Sequence, residues 1–282
     1  MVTLPGGVQW PALGLGTWRL GESSAKRGAE VAAIRAALDI GYRLFDTAEM
    51  YGEGGAEEVL GSALADALRS SELQRDEVVV VSKVYPQNAS ASGVVAACER
   101  SLKRLRLDTL DAYLLHWRGA VPLAETVAAF EELRQRGRIR CWGVSNFDID
   151  DLRELSEVAG GAACATNQIY YSLTARGPGF ELLPWQQAQG IVTMAYSPID
   201  QGALCRSKVL VQMGEELGIA PAQIALSWLT AQAGVMAIPK AAAPAHLREN
   251  FASQAVRLDA AHLARLDAAF PPARRRTPLA MR

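Results

Sequence analysis

Four side chains in the first half of the chain could together hold and move a proton. Asp46 closes the run Arg43–Asp46, Lys83 lies near the end of Val78–Val84, His116 ends Asp111–His116, and Tyr51 follows Asp46 by one short loop. Singly, each has an ordinary explanation: Asp46 could cap a helix, Lys83 could be a surface charge, and His116 could be a satisfied core histidine. Jointly they make a proton donor. An isolated phenol titrates at about 10, too high to exchange protons easily at neutral pH. A neighbouring Lys83 ammonium is expected to favour phenolate and lower the Tyr51 pKa, while Asp46 keeps that ammonium charged and oriented. His116 can donate a hydrogen bond to a substrate oxygen as negative charge develops there. A phenolic donor and a polarising imidazole facing one oxygen suit carbonyl reduction. No side chain supplies a hydride, so a nicotinamide is the economical source.

For these groups to meet, the runs that carry them must be neighbouring strands. Short β-branched runs at Gly14–Thr17, Arg43–Asp46, Val78–Val84, Asp111–His116, Arg140–Ser145, Ala165–Ile169, Ile191–Ser197 and Val235–Pro239 alternate with helical patterns. In one such pattern Val31, Ile34, Leu38 and Gly41 share a face; in another Leu123, Val127, Phe130 and Leu133 do, with a stop at Gly137. Alternation without a long linker indicates a parallel sheet with helical crossovers. The expected fold is α/β, a single (β/α)8 TIM barrel over residues 1–282, since such barrels commonly take about 250 residues. A doubly wound sheet is the alternative, but Gly14-Leu15-Gly16-Thr17 lacks the third glycine of a dinucleotide fingerprint. Thr3–Leu4 and Val8–Gln9 around Pro5-Gly6-Gly7 read as a hairpin plugging the barrel bottom, and Asp259–Phe270 as an extra C-terminal helix. Reactive groups in this fold cluster at the carboxyl ends of the strands. Those ends read Thr17-Trp18, Asp46, Lys83, His116, Ser145-Asn146, Gln168, Tyr196-Ser197 and Lys240.

Composition narrows the class. The 282 residues are 50% apolar, and 29 Lys+Arg against 30 Asp+Glu leave a formal charge of −1, which argues against a nucleic-acid partner. No apolar stretch approaches the length of a membrane span, and Met1–Gly6 has no signal-peptide pattern, so a cytoplasmic, globular protein is expected. Cys98, Cys141, Cys164 and Cys205 are far apart and read as reduced core residues. Three histidines without a cysteine cluster give no metal site. Arg274-Arg275-Arg276 reads as a solvated charge run, and a monomer is the default.

Seven ordered motifs resemble the aldo-keto reductases: GYRLFDTAEMYGEGGAEEVLG from Gly41, VVVVSKVYP around Lys83, LLHW around His116, WGVSNF around Asn146, ATNQIYYSL around Gln168, MAYSPI around Tyr196 and AIPKA around Lys240. Within that superfamily the chain looks most like the small bacterial members that reduce methylglyoxal and related aldehydes. The resemblance implies NADPH-dependent reduction of small 2-oxoaldehydes, aromatic aldehydes and some ketones, with NADH weaker. It places Asp46, Tyr51, Lys83 and His116 as the catalytic tetrad and needs no metal. By position, Gly16, Thr17, Trp18 and Asp46 would border the cofactor. Ser145, Asn146 and Gln168 would hold the carboxamide, and Tyr196 would stack on the ring. The Ser197–Cys205 loop, with Pro198 and Gln201, would cover the pyrophosphate. Lys240, Ala241 and His246 would meet the 2′-phosphate, and Glu249 and Asn250 the adenine. Trp18, Tyr51, Tyr85, His116 and Trp117 would line the substrate pocket, which should stay open because the chain has no long segment after Asp259–Phe270. The sequence departs from the family's common pattern at Ala241, where many members carry a hydroxyl, at His246, where several carry arginine, and at Tyr85, where tryptophan is frequent.

Ordinary readings stand beside these. Ser145-Asn146 could cap a helix over Asp148–Val158, Tyr196 could be a core aromatic, and Glu249-Asn250 a solvated helix face. Two other classes stay open. A Schiff-base aldolase would need Lys83 neutral, and a cofactor-binding subunit of a larger assembly would bind NADPH with little turnover.

Overall fold

Apolar runs become strands here because both their faces are covered. The computed structural model describes residues 1–282. β1 (Val2–Thr3) and β2 (Gln9–Trp10) pair as an antiparallel hairpin. β3 (Leu15–Gly16), β4 (Leu44–Asp46), β5 (Val79–Val84), β6 (Leu110–Leu115), β7 (Ile139–Ser145), β8 (Thr166–Tyr170), β9 (Val192–Tyr196) and β10 (Val235–Ala237) form one parallel sheet in chain order. Its edges meet: the Gly14 N–H donates to Ala237 O at 2.9 Å and the Gly16 N–H to Pro239 O at 3.1 Å. The sheet therefore closes as a (β/α)8 barrel.

Helices α1 (Arg27–Ile40), α2 (Gly55–Arg69), α3 (Ala91–Leu105), α4 (Leu123–Gln135), α5 (Ile149–Glu157) and α6 (Leu182–Ala188) make the first six crossovers. α7 (Lys208–Leu217) and α8 (Pro221–Thr230) share the seventh, and α9 (Pro244–Ala252) and α10 (Ala260–Ala269) follow β10. The extra C-terminal helix is thus present. α4 stops as expected before Gly137, whose φ is 71°. Gly41, expected on the apolar face of α1, is instead its left-handed cap at φ 118°. α5 is capped by Asp148, whose Oδ1 accepts from the Asp150 and Asp151 N–H groups. Ser145 and Asn146 are consequently not its cap and are left for other work.

The hairpin strands lie one residue further out than expected, because Pro5–Gly7 forms a 3-10 turn and Leu4 N–H donates to Val8 O. Val2, Leu4 and Trp10 pack with Leu44, Val81 and Met236 inside the barrel and plug its amino end. With that end filled, only the carboxyl end opens to solvent as a mouth. Residues after α10 are not a free tail. Arg274, Arg275 and Arg276 are exposed as expected, Arg276 in surface ion pairs with Asp150 and Asp148, and Leu279 packs against the main core. Cys98 and Cys164 are buried, while Cys141 is only partly so; Cys205, expected in the core, reaches the mouth. No helix is long and apolar enough to cross a membrane.

Candidate active site

Asp46 ends β4, Lys83 is the last but one residue of β5, and His116 follows β6. Because β4, β5 and β6 are parallel neighbours, these three side chains reach one mouth. Tyr51 opens a short turn held by Gly52 and Gly54, both at positive φ, which folds the phenol back over the strands. The Lys83 ammonium, fully buried, donates to Asp46 Oδ2 at 2.8 Å, Thr47 O at 2.8 Å and Tyr51 Oη at 3.2 Å. All three of its protons are thereby spoken for.

This network settles protonation states. Burial works against the Lys83 charge, but Asp46 and Tyr51 outweigh it and hold the ammonium above its ordinary value. A lysine so held is no amine nucleophile, which removes the observation a Schiff-base aldolase would need. Burial lifts the Asp46 carboxyl, opposed by Lys83; a 2.8 Å contact with a second bond from Gln168 makes the pair ionic. Tyr51 departs from expectation. Lys83 does pull the phenol down, but burial is larger and leaves it above its usual value. The phenol therefore keeps its proton throughout the neutral range. Burial first, then Lys83, drives the His116 pKa well down, so the imidazole is neutral and keeps one N–H. Its buried Nδ1 has no protein partner.

The next ring of residues props this centre. Gln168 Nε2 donates to Asp46 Oδ1 at 2.7 Å, and Ser145 Oγ to Gln168 O at 2.9 Å. Asn146, left-handed at φ 59°, donates to His116 O at 3.1 Å and accepts from Tyr196 Oη at 2.9 Å. Tyr196 stacks one face on Tyr170, with ring centres 5.9 Å apart, so it is not a core aromatic closed on both sides.

A cleft of about 640 Å³ runs from this centre across the mouth. Of the residues singled out in the sequence, Gly16, Trp18, Asp46, Tyr51, His116, Ser145, Asn146, Gln168 and Tyr196 line its inner part. Ser197, Pro198, Gln201, Lys240, His246, Glu249 and Asn250 line the outer part. Lys83 lies beneath the floor. Four others are elsewhere. Thr17 is buried and its N–H donates to Asp46 O, and Ala241 is buried behind Lys240. Tyr85 and Trp117 meet edge to face with ring centres 6.0 Å apart, and the Trp117 ring centre lies 5.0 Å from that of His116, so both stand partly exposed beside the histidine. The sequence reading missed Arg19, whose guanidinium lies over the Trp18 ring at 4.4 Å, Met50 and Arg282. Arg19 and Met50 adjoin residues it did choose. Arg282 came from a stretch that was expected to leave the mouth open.

The cleft has the shape and donor set for an extended dinucleotide. Its inner end offers amide and hydroxyl groups and an open aromatic face. Its outer end offers Lys240 and His246, both exposed and without a carboxylate partner, at the start of α9, where helix N–H groups favour an anion.

Comparison with known proteins gives the same direction. Residues 12–270 match the sequence profile described as the Aldo/keto reductase family. Methylglyoxal reductase YeaE of Escherichia coli is 47% identical over 100% of this chain and 98% of its own length. Glyoxal reductase of Bacillus subtilis is 36% identical over 88% of this chain and 85% of its own. A crystal structure of an aldo/keto reductase from Klebsiella pneumoniae, in complex with NADP and acetate, superposes with a TM-score of 0.94. It shares 46% identity and covers 99% of this chain and 98% of its own.

Proposed function

We propose a reaction for this chain, which belongs to the aldo/keto reductase family: NADPH-dependent reduction of small aldehydes, 2-oxoaldehydes such as methylglyoxal and aromatic aldehydes to alcohols, with ketones poorer. Residues 1–282 act as one barrel domain. The bound nicotinamide supplies the hydride. Tyr51 gives its proton to the carbonyl oxygen, and Lys83, 3.2 Å from that phenol, steadies the phenolate that forms. Asp46 keeps Lys83 charged. The remaining N–H of neutral His116 donates to the same oxygen as it becomes alkoxide-like. Ser145, Asn146 and Gln168 orient the carboxamide, and Tyr196 offers its free face to the ring.

Lys240 takes the 2′-phosphate, with His246 as a weaker helper. A single directional bond from a histidine lacks the bidentate grip of an arginine. Ala241 forgoes a hydroxyl worth about 1 kcal/mol. NADPH should therefore be preferred over NADH by roughly ten- to a hundred-fold, the factor for about 1.4–2.8 kcal/mol. The protein acts in the cytoplasm as a monomer on a small carbonyl substrate, without nucleic-acid or membrane partners.

The observation that carries this reading is the triple engagement of buried Lys83 by Asp46, Thr47 and Tyr51 beside an open cleft. The test is a panel of small aldehydes, 2-oxoaldehydes and ketones assayed with NADPH and NADH. Turnover of methylglyoxal with NADPH is expected. Tight NADPH binding with no turnover of any aldehyde would instead support a cofactor-binding subunit.

A further inference from the structure

Residues after α10 cross the barrel wall and end at the mouth, where Arg282 touches two different parts of the cleft. Its guanidinium pairs with Asp200 Oδ1 at 2.6 Å and lies over the Tyr170 ring at 5.0 Å. Its backbone N–H donates to Tyr196 Oη at 3.1 Å. Asp200 belongs to the loop that would cover the pyrophosphate. That loop is held in a costly shape, because Ser197, Asp200 and Gln201 all have φ near 50°. Non-glycine residues adopt this region only where surrounding contacts over-determine it, and such strain gathers at ligand clamps.

Asp200 is where the over-determination is concentrated. Its carboxylate accepts from Tyr170 Oη at 2.7 Å and Thr174 Oγ1 at 3.3 Å, as well as from Arg282. Two of these partners are neutral. Without Arg282 the carboxylate would present an uncompensated negative charge beside the path of the cofactor phosphates. The segment that delivers Arg282 is itself fastened, by Arg276 on Asp150 and by Leu279 on the core. The tail thus spans from the helical shell to the covering loop and the ring-stacking tyrosine at once.

We propose that Arg282 is a clasp: through Asp200 it holds the 197–206 loop in its closed shape and through Tyr196 it fixes the ring platform, so that it sets the rate of dinucleotide release without touching the reacting atoms. The inference rests on the NADPH reading given above. It makes Arg282 a positioning residue, acting through Asp200 and Tyr196.

The experiment compares wild type, Arg282→Met and Arg282→Lys. NADPH dissociation is followed by stopped-flow fluorescence, hydride transfer by single turnover, and the 197–206 loop of the cofactor-free protein by hydrogen exchange. The expected result for Arg282→Met is a dissociation rate raised about three- to tenfold, modest because the arginine side of the pair is exposed to solvent. Single-turnover rate should stay within about twofold, because the bond to Tyr196 comes from the main-chain N–H and is kept in both variants, and loop amides should exchange faster. Arg282→Lys should recover part of both effects, and added salt should narrow the gap between wild type and Arg282→Met. An unchanged dissociation rate with unchanged loop exchange would overturn the clasp. Wild type that fails to bind NADPH would overturn the cofactor reading and the release role with it. In that case loop exchange in the cofactor-free variants still decides whether Arg282 holds the loop.

Discussion

The two ends of the cleft are built on opposite plans. At the inner end, Lys83 is fully buried, its three protons are used, and Asp46 is held from both sides. At the outer end, Lys240 and His246 are exposed and unpaired. A centre that handles a proton needs fixed charges in low dielectric, where each interaction is strong and each loss expensive. A site for a phosphate gains by keeping its cations free for the incoming anion. The inner end should therefore govern rate and stability, and the outer end affinity and cofactor choice.

The sharpest break is Tyr51→Phe. Deleting the proton donor should lower turnover by about 10²–10⁴, the usual worth of a positioned general acid, and leave NADPH affinity nearly unchanged. Steady-state kinetics with fluorescence titration checks both. Lys83→Met should lower turnover comparably and, unlike Tyr51→Phe, should also destabilise the fold. It strands the Asp46 carboxylate in the interior, a loss of about 3–5 kcal/mol for a broken buried pair, read by urea unfolding. Lys240→Met tests the other end. It should weaken NADPH binding about tenfold, leave NADH binding alone, and spare the rate of bound enzyme.

His116 gives a pH signature confined to the inner end. Its folded pKa lies well below the ordinary value, so on acidification the unfolded chain takes up a proton that the folded one refuses. Its share of stability is whole above the unfolded value of about 6.5 and shrinks as pH falls towards the folded one. Urea titrations should show wild type losing up to about 1.4 kcal/mol more per pH unit than His116→Asn below pH 6.5. The smallest expected effect is His246→Arg, which should raise the preference for NADPH over NADH several-fold by replacing one directional bond with a fork. An unchanged preference would mean that His246 faces away from the phosphate.

The same contrast explains what could be read from the sequence. Asp46, Lys83 and His116 were legible because parallel strands in chain order bring their carboxyl ends together, whatever the detailed packing. The Tyr51 proton was not, since its direction depends on whether burial or Lys83 is larger, and burial is a property of the folded depth. Strand ends were placed within a residue or two, because apolar patterning reports burial and not pairing. The separate helix α7 was not anticipated within the seventh crossover. Tyr85 and Trp117 carried the chemistry of a pocket wall, and how the two rings set against each other and His116 could not be read from their positions in the chain. Arg282 was invisible for a different reason. Its partners Asp200 and Tyr196 lie 82 and 86 residues away, and no local pattern marks such a contact.

The division of labour is tested most directly by single-turnover reduction of methylglyoxal by enzyme preloaded with saturating NADPH, run in parallel on wild type, Tyr51→Phe and Lys240→Met. The account predicts a transfer rate in Tyr51→Phe about 10²-fold or more below wild type, and a rate in Lys240→Met within about twofold of it. Transfer in Tyr51→Phe at the wild-type rate, with cofactor fully bound, would contradict it.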